Sequence, residues 1–188
     1  MIKNLAVVGA TGAVGKIVLS EIERQGLRFE SLKLLASSRS AGTQVRFAGR
    51  DYTVELLQPQ AFDGVDLAIA STPDEVAAEF VPWAVERGTI VVDESAYFRM
   101  QPDVPLVIPE VNPEAIDQHQ GIIASPNCST TQMVVALKPL MDAAGLTRVV
   151  VSTYQAVSGA GLAAQEELLT NTKAYLGDQP ADVQMFQD

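Results

Sequence analysis

One cysteine and one histidine are all that the 188 residues contain of either type. A lone cysteine excludes an intramolecular disulfide, and the pair leaves no cluster of soft metal ligands, so no metal site is expected. Long hydrophobic runs are missing too. None reaches the ~18 residues that a membrane helix needs. The opening MIKNLAVVGATGAVG puts a glycine turn where a signal peptide would carry its apolar stretch. A soluble, cytoplasmic protein with no membrane partner is expected. Positive charge is scarce: 13 Lys and Arg stand against 23 Asp and Glu, a net charge of -10. Such a field repels nucleic acid at long range, so an anionic ligand must be held by local arginines and backbone amides. Apolar residues are plentiful, at 47%, enough to build the core of one domain or a little more.

The apolar runs come in a regular order. Residues 5–8 read as a buried parallel strand that stops at GATGAVG, and Val14, Ile17, Val18 and Ile22 then fall at helical spacing up to Gly26. Residues 32–36 form a second run within the span of one right-handed βαβ unit. Runs at 66–70 and 89–92 flank a helical stretch at 74–87, which Pro82 should interrupt or kink. The repetition predicts an α/β fold with a doubly wound parallel sheet of Rossmann type. Residues 98–113 carry four prolines and read as loop with at most a short edge strand. A strand at 121–124 leads into ASPNCSTTQ, followed by a helix at 131–144, a β-branched strand at 148–156 and a last helix through about Lys173. We read residues 1–127 as a nucleotide-binding domain and 128–188 as the beginning of an incomplete α+β domain.

Three motifs carry chemistry. Gly9, Thr11, Gly12, Ala13 and Val14 lie between a strand and a helix, where glycines let the backbone approach a pyrophosphate and the helix N-terminus offers free N–H groups. A plain strand-to-helix connection is the alternative. At the end of the second strand an NAD site would present an acid to the ribose, but the chain reads Ser37-Ser38-Arg39-Ser40. An arginine fork among hydroxyls suits a 2'-phosphate and so NADP, against the alternative of a solvated turn. Cys128 starts a helix at the carboxyl edge of the sheet, where a helix N-terminus favours the thiolate nucleophile. Ser129, Thr130 and Thr131 can cap that helix, while the Asn127 amide can orient a carbonyl. Lone cysteines are often inert core residues, but the polar flanks PN and STT argue against an apolar surrounding. Arg99 is a candidate clamp for phosphate or carboxylate, or else a surface arginine. His119, in DQHQG, reads as a solvated histidine and not as a base.

Taken together, GATGAVG, SSRSAG, FRM, PEVNPE, SPNCSTTQMVVALKPL and VVVSTYQAVSGAG closely resemble the bacterial aspartate-semialdehyde dehydrogenases, in order along nearly the whole chain. The resemblance implies NADPH-dependent reduction of L-aspartyl 4-phosphate to the semialdehyde with release of phosphate, on the route to lysine, methionine and threonine. It implies a thioester on Cys128, with Asn127 beside it in the substrate pocket. By the same resemblance Gln155 contacts substrate, and Arg99 its phosphate or carboxylate. Residues 11–14 cradle the pyrophosphate, Arg39 and Ser40 the 2'-phosphate, Ser158 and Gly159 the nicotinamide side, and Ser71 and Thr72 a ribose. It further implies a homo-oligomer, dimer or tetramer, for the full-length enzyme.

Two departures from the family pattern stand out. Asp93-Glu94-Ser95-Ala96 replaces the usual Asp-Asn-Ser-Ser, which adds a carboxylate near an anion site. The resemblance also implies that the family's catalytic histidine and remaining substrate-binding residues lie beyond residue 188, so the chain alone is expected to be inactive. The competing functions are a truncated cofactor-binding or interaction module and a related acyl-phosphate reductase such as N-acetyl-glutamyl-phosphate reductase.

Overall fold

The protein is described by a computed structural model covering residues 2–177 and 179–184. Strand β1 (Asn4–Val8) passes through a glycine turn into α1 (Ala13–Gln25), and β2 (Ser31–Ala36) returns parallel to β1. A hairpin of β3 (Gln44–Phe47) and β4 (Arg50–Leu56) follows, with β4 parallel to β2. The chain then crosses to the other side of β1 and lays down β5 (Leu67–Ala70), α2 (Asp74–Glu86), β6 (Ile90–Asp93) and β7 (Ile122–Ala124), all three strands parallel. The helices α3 (Cys128–Ala144) and α4 (Leu162–Leu176) complete the regular elements. The sheet order is β3-β4-β2-β1-β5-β6-β7. It reverses between β1 and β5, as a doubly wound Rossmann-type sheet does, and a crevice opens there at the carboxyl ends of the strands.

Both faces of the sheet are covered, which is why the inner strands are nearly continuous apolar runs. On the α2 face, Ala6, Val8, Leu35, Ala68 and Val91 pack with Phe62, Phe80 and Val81. Leu5, Val7, Leu34 and Val54 pack with Leu19 and Ile22 of α1 on the other. The chain divides into two compact units, Met1–Val151 and Ser152–Asp188. In the second, a 3-10 turn (Val157–Ala160) precedes α4, and Asn171 holds the backbone of Asp182 through two hydrogen bonds of 3.0 Å. Among the described residues, no helix is long and apolar enough to cross a membrane, and no three His, Cys, Asp or Glu side chains are placed to hold a metal ion.

Two local expectations need correction, and one element is new. Pro82 does not end α2, which runs on to Glu86. Buried Ala77, Phe80, Val81 and Ala84 anchor it to the sheet, and that packing outweighs the ~3 kcal/mol that an internal proline costs. The β-branched stretch 148–156 is not a strand. Strands persist by pairing, and the free edge of β7 is already taken by the preceding loop: Val107 N–H donates to Ala124 O at 2.9 Å and Ala124 N–H to Pro105 O at 2.9 Å. The β3–β4 hairpin was not foreseen. Its two-residue turn, Ala48-Gly49, has φ of 47° and 78°, the left-handed pair that matches the twist of the flanking strands.

The Phe62 and Phe80 rings stack with centroids 5.7 Å apart in the middle of the α2 face. Phe62→Ala is expected to lower the stability of the sheet-bearing unit by about 3–5 kcal/mol, measured as a drop in the urea midpoint at unchanged slope.

Candidate active site

The crevice at the carboxyl edge starts from Gly9. Its φ is 80°, and a Cβ built there would lie 2.1 Å from the carbonyl oxygen of Ser71. Only glycine lets the end of β1 come so close to the end of β5. Gly15 does the same for α1, since a Cβ on it would meet Gly9 O at 2.1 Å. The first intrahelical bond of α1 runs from Lys16 N–H to Gly12 O at 3.2 Å, and no side chain caps the helix. The amides of Ala13 and Val14 therefore face the crevice end of the helix with its partial positive charge. Beside Gly9, the buried hydroxyl of Thr72 has no hydrogen-bond partner. A closely approached backbone, uncapped helix amides and an orphaned hydroxyl are what a dinucleotide would satisfy.

The second turn joins the first. Thr11 Oγ1 and Ser40 Oγ are hydrogen-bonded at 3.1 Å, linking the glycine turn to residues 37–43. That turn is closed by Ser40 N–H to Ser37 O at 2.9 Å and leaves Arg39 exposed at its tip. Residues 37–43 contain no acidic side chain, so nothing in the turn competes for the guanidinium.

Cys128 is exposed in the first turn of α3, at the carboxyl end of β7. Asn127 is the residue that caps this helix: its Oδ1 accepts from Ser129 N–H at 3.0 Å and from Ser129 Oγ at 2.7 Å. Cys128 Sγ lies 3.9 Å from the same oxygen. The hydroxyl run thus serves the cap as partner, with Thr131 Oγ1 donating to Asn127 O at 3.2 Å. Because Oδ1 is spent, Nδ2 is the end of the Asn127 amide that remains for a ligand.

Arg99 is half-buried and works as a staple. Its Nε donates to Ser125 O at 2.9 Å and its Nη2 to Glu94 O at 2.7 Å, so it joins the end of β6 to the loop that presents Cys128. Ser125 N–H in turn donates to Asp93 O at 2.8 Å. Beneath the staple Asp93 is fully buried; its Oδ2 accepts from Ser95 Oγ at 2.5 Å and its Oδ1 has no partner. Burial pushes its carboxyl above the ordinary aspartate value, against the opposing pull of Ser95. Burial also raises the neighbouring Glu94, with the Ser71 side chain acting in the opposite direction. Sequence reasoning missed Asp93 and Ser125, although an acid closing the apolar run IVVD is a readable signal for a buried carboxylate.

The remaining predicted site residues belong to the second unit. Gln155, Ser158 and Gly159 are exposed there, and Gln155 and Ser158 line one open pocket of that unit together with Val157, Gln165 and Leu168. His119 lies at the amino end of β7, the edge away from Cys128, where its Nδ1 accepts from Gly121 N–H at 3.0 Å.

Residues 4–119 match the model of the semialdehyde dehydrogenase NAD binding domain, and residues 137–188 that of the semialdehyde dehydrogenase dimerisation domain. The chain belongs to the semialdehyde dehydrogenase family. Aspartate-semialdehyde dehydrogenase of Bacillus subtilis is 48% identical over 183 residues, 97% of this chain and 53% of the relative. The Aquifex aeolicus enzyme of the same name is 51% identical over 175 residues, 92% of this chain and 52% of the relative. The chain thus spans about half the length of these relatives. Among solved structures, aspartate semialdehyde dehydrogenase II of Vibrio cholerae complexed with ASA superposes with a TM-score of 0.91 at 43% identity, over 100% of this chain and 56% of that one. The Candida albicans enzyme with NADP gives a TM-score of 0.68 at 32% identity, over 77% of this chain and 48% of that one.

Asp93 provides a test of the packing beneath the site. Its carboxyl takes up a proton more readily folded than unfolded, so stability is greatest with the proton on and falls as pH rises from the unfolded value through the raised folded one. Asp93→Asn removes the charge. Its unfolding free energy relative to the parent should therefore grow between about pH 4 and neutrality, as followed by urea titrations across that range.

Proposed function

We propose that the protein is an NADP-dependent aspartate-semialdehyde dehydrogenase that reduces L-aspartyl 4-phosphate to L-aspartate 4-semialdehyde. What carries the reading is an exposed thiol in the first turn of α3, on the same edge of the sheet as the uncapped α1 crevice. The identity to enzymes of that name supports it.

In this reading Gly9, Thr11, Gly12, Ala13 and Val14 hold the pyrophosphate, and Arg39 with Ser40 the 2'-phosphate. Gln155 is assigned to the substrate, and Ser158 with Gly159 to the nicotinamide side. The boundary of the NADP-binding domain is set at 127/128, so that α3 opens the catalytic and oligomer-forming domain. The Cys128 thiolate attacks the acyl carbon; a C–S bond forms as the C–O bond to phosphate breaks, and phosphate leaves with the electron pair. Asn127 Nδ2 donates to the oxygen on which charge develops. Arg99, with two N–H groups committed to backbone, offers the rest of its fork to the substrate phosphate or carboxylate. Held by these residues, NADPH would supply a hydride for the thioester on Cys128, whose C–S bond would then break to give the aldehyde and return the thiolate. The biosynthetic setting is that of lysine, methionine and threonine, in the cytoplasm, and the enzyme acts as a homo-oligomer.

Arg39→Ala should weaken NADPH by roughly 1.5–3 kcal/mol, the worth of a charge-assisted contact, while leaving NADH nearly untouched. Fluorescence titration with both cofactors measures this, and equal losses would overturn the NADP assignment.

Turnover is a separate matter. The single histidine sits at the far edge of β7 from Cys128 and cannot serve the thiol as acid or base, a role worth about 10²–10⁴-fold. The 188-residue chain should bind NADPH weakly and show little or no phosphate-dependent oxidation of aspartate semialdehyde. Rates near those of a full-length relative in a spectrophotometric assay would refute the mechanism.

A further inference from the structure

A cavity of about 390 Å³ opens between the C-terminal end of α1 and the β3–β4 hairpin. It lies within the sheet-bearing unit and away from the cofactor crevice: α1 has 13 residues, so at ~1.5 Å of rise each its two ends are about 20 Å apart. The helix stops at Gly26, whose φ is 65°; Gly26 N–H donates to Glu23 O at 3.1 Å and Leu27 N–H to Ile22 O at 3.2 Å. The chain leaving that turn brings Phe29 against the hairpin. Phe29 and Phe47 stack with ring centroids 6.2 Å apart, and Tyr52 meets Phe47 edge-on at 6.0 Å. Phe47 is buried, whereas Phe29 and Tyr52 are half-buried, and the three rings form a wall of the cavity.

Three charged side chains line the same space: Glu23, Glu30 and Arg50. Strand register brings Arg50 there. It stands directly opposite Phe47 across the hairpin, so the two side chains leave the same face, and Tyr52, two residues on, joins them. Asp51 falls on the other face, where it pairs with Arg46 at 3.6 Å. On α1, Arg24 is likewise committed, to Glu21 at 2.6 Å. Among the described residues Glu23, Glu30 and Arg50 have no ion-pair partner, not even one another. A cleft of this size, walled by aromatic rings and edged by a few convergent polar groups, has the make-up of a small-molecule site. A ligand carrying only an ammonium leaves Arg50 unanswered, and one carrying only a carboxylate meets two like charges. A zwitterion with an apolar side chain answers all of them: its carboxylate takes the Arg50 fork, its ammonium the two glutamates, and its side chain covers the rings. We propose that this cavity is a binding site for a free α-amino acid with an apolar side chain, separate from the cofactor crevice and independent of the function proposed above.

Titration of the ¹⁵N-labelled chain with L-phenylalanine, followed by nuclear magnetic resonance, tests this. The companion probes are 2-phenylethylamine, which lacks the carboxylate, 3-phenylpropionate, which lacks the ammonium, and L-alanine, which lacks the ring. L-phenylalanine should saturate one site with a Kd of about 1 mM or tighter and shift amides within residues 26–30 and 47–52, and each companion should bind about tenfold more weakly. Arg50→Gln should weaken L-phenylalanine about tenfold without weakening 2-phenylethylamine, and Glu23→Gln combined with Glu30→Gln should weaken it without weakening 3-phenylpropionate. All three side chains are exposed, so an unchanged urea midpoint is expected for these variants. NADP+ titrated into the same samples reports on the cofactor crevice separately, and loss of either site leaves the other standing. No saturable binding of L-phenylalanine up to about 10 mM, shifts confined to other residues, equal affinity for any companion, or an affinity that neither variant lowers overturns the proposal.

Discussion

The contact between Gly9 and the Ser71 carbonyl sets the spacing on which the rest of the carboxyl edge depends. With no Cβ in the way, β1 and β5 close to pairing distance through their last residues, and Ser71 N–H still reaches Val8 O. The same glycine carbonyl lies against Gly15, which fixes how near α1 comes to the sheet. Two glycines six residues apart thereby place a strand end, a neighbouring strand end and a helix N-terminus around one crevice. A methyl group at either would push the backbone apart, and at Gly9 it would also demand a left-handed conformation that side chains disfavour.

Much of this was legible in the sequence because it obeys local rules. Continuous apolar runs named the buried parallel strands, and a glycine turn followed by helical spacing named α1. The crossover rule then set the strands side by side. The cysteine stretch declared its position at a helix start through its flanks. Only the identity of the cap was misread, since Asn127 competes for the same amide as the hydroxyl residues behind it and lies one residue before the helix.

What stayed hidden depends on partners distant in the chain. Residues 148–156 have the composition of a strand, yet composition cannot say whether an edge is free, and Leu106 with its neighbours already occupies β7. Pro82 looks like a helix breaker until the depth of Phe80 and Val81 is known. The role of Arg99 was equally out of reach, because it depends on carbonyls 5 and 26 residues away in sequence.

Arg99 spans the ends of two strands with one rigid fork, and this joins loops that would otherwise move independently. The loop bearing Glu94 and the loop bearing Cys128 share a single planar group, and that group is charged. An anion that draws on the guanidinium must therefore act on both carbonyls together. The staple is thus a mechanical link as well as an electrostatic one: the loop after β6 and the loop before α3 are held to one planar charged group, so a change of side chain at Arg99 releases both at once.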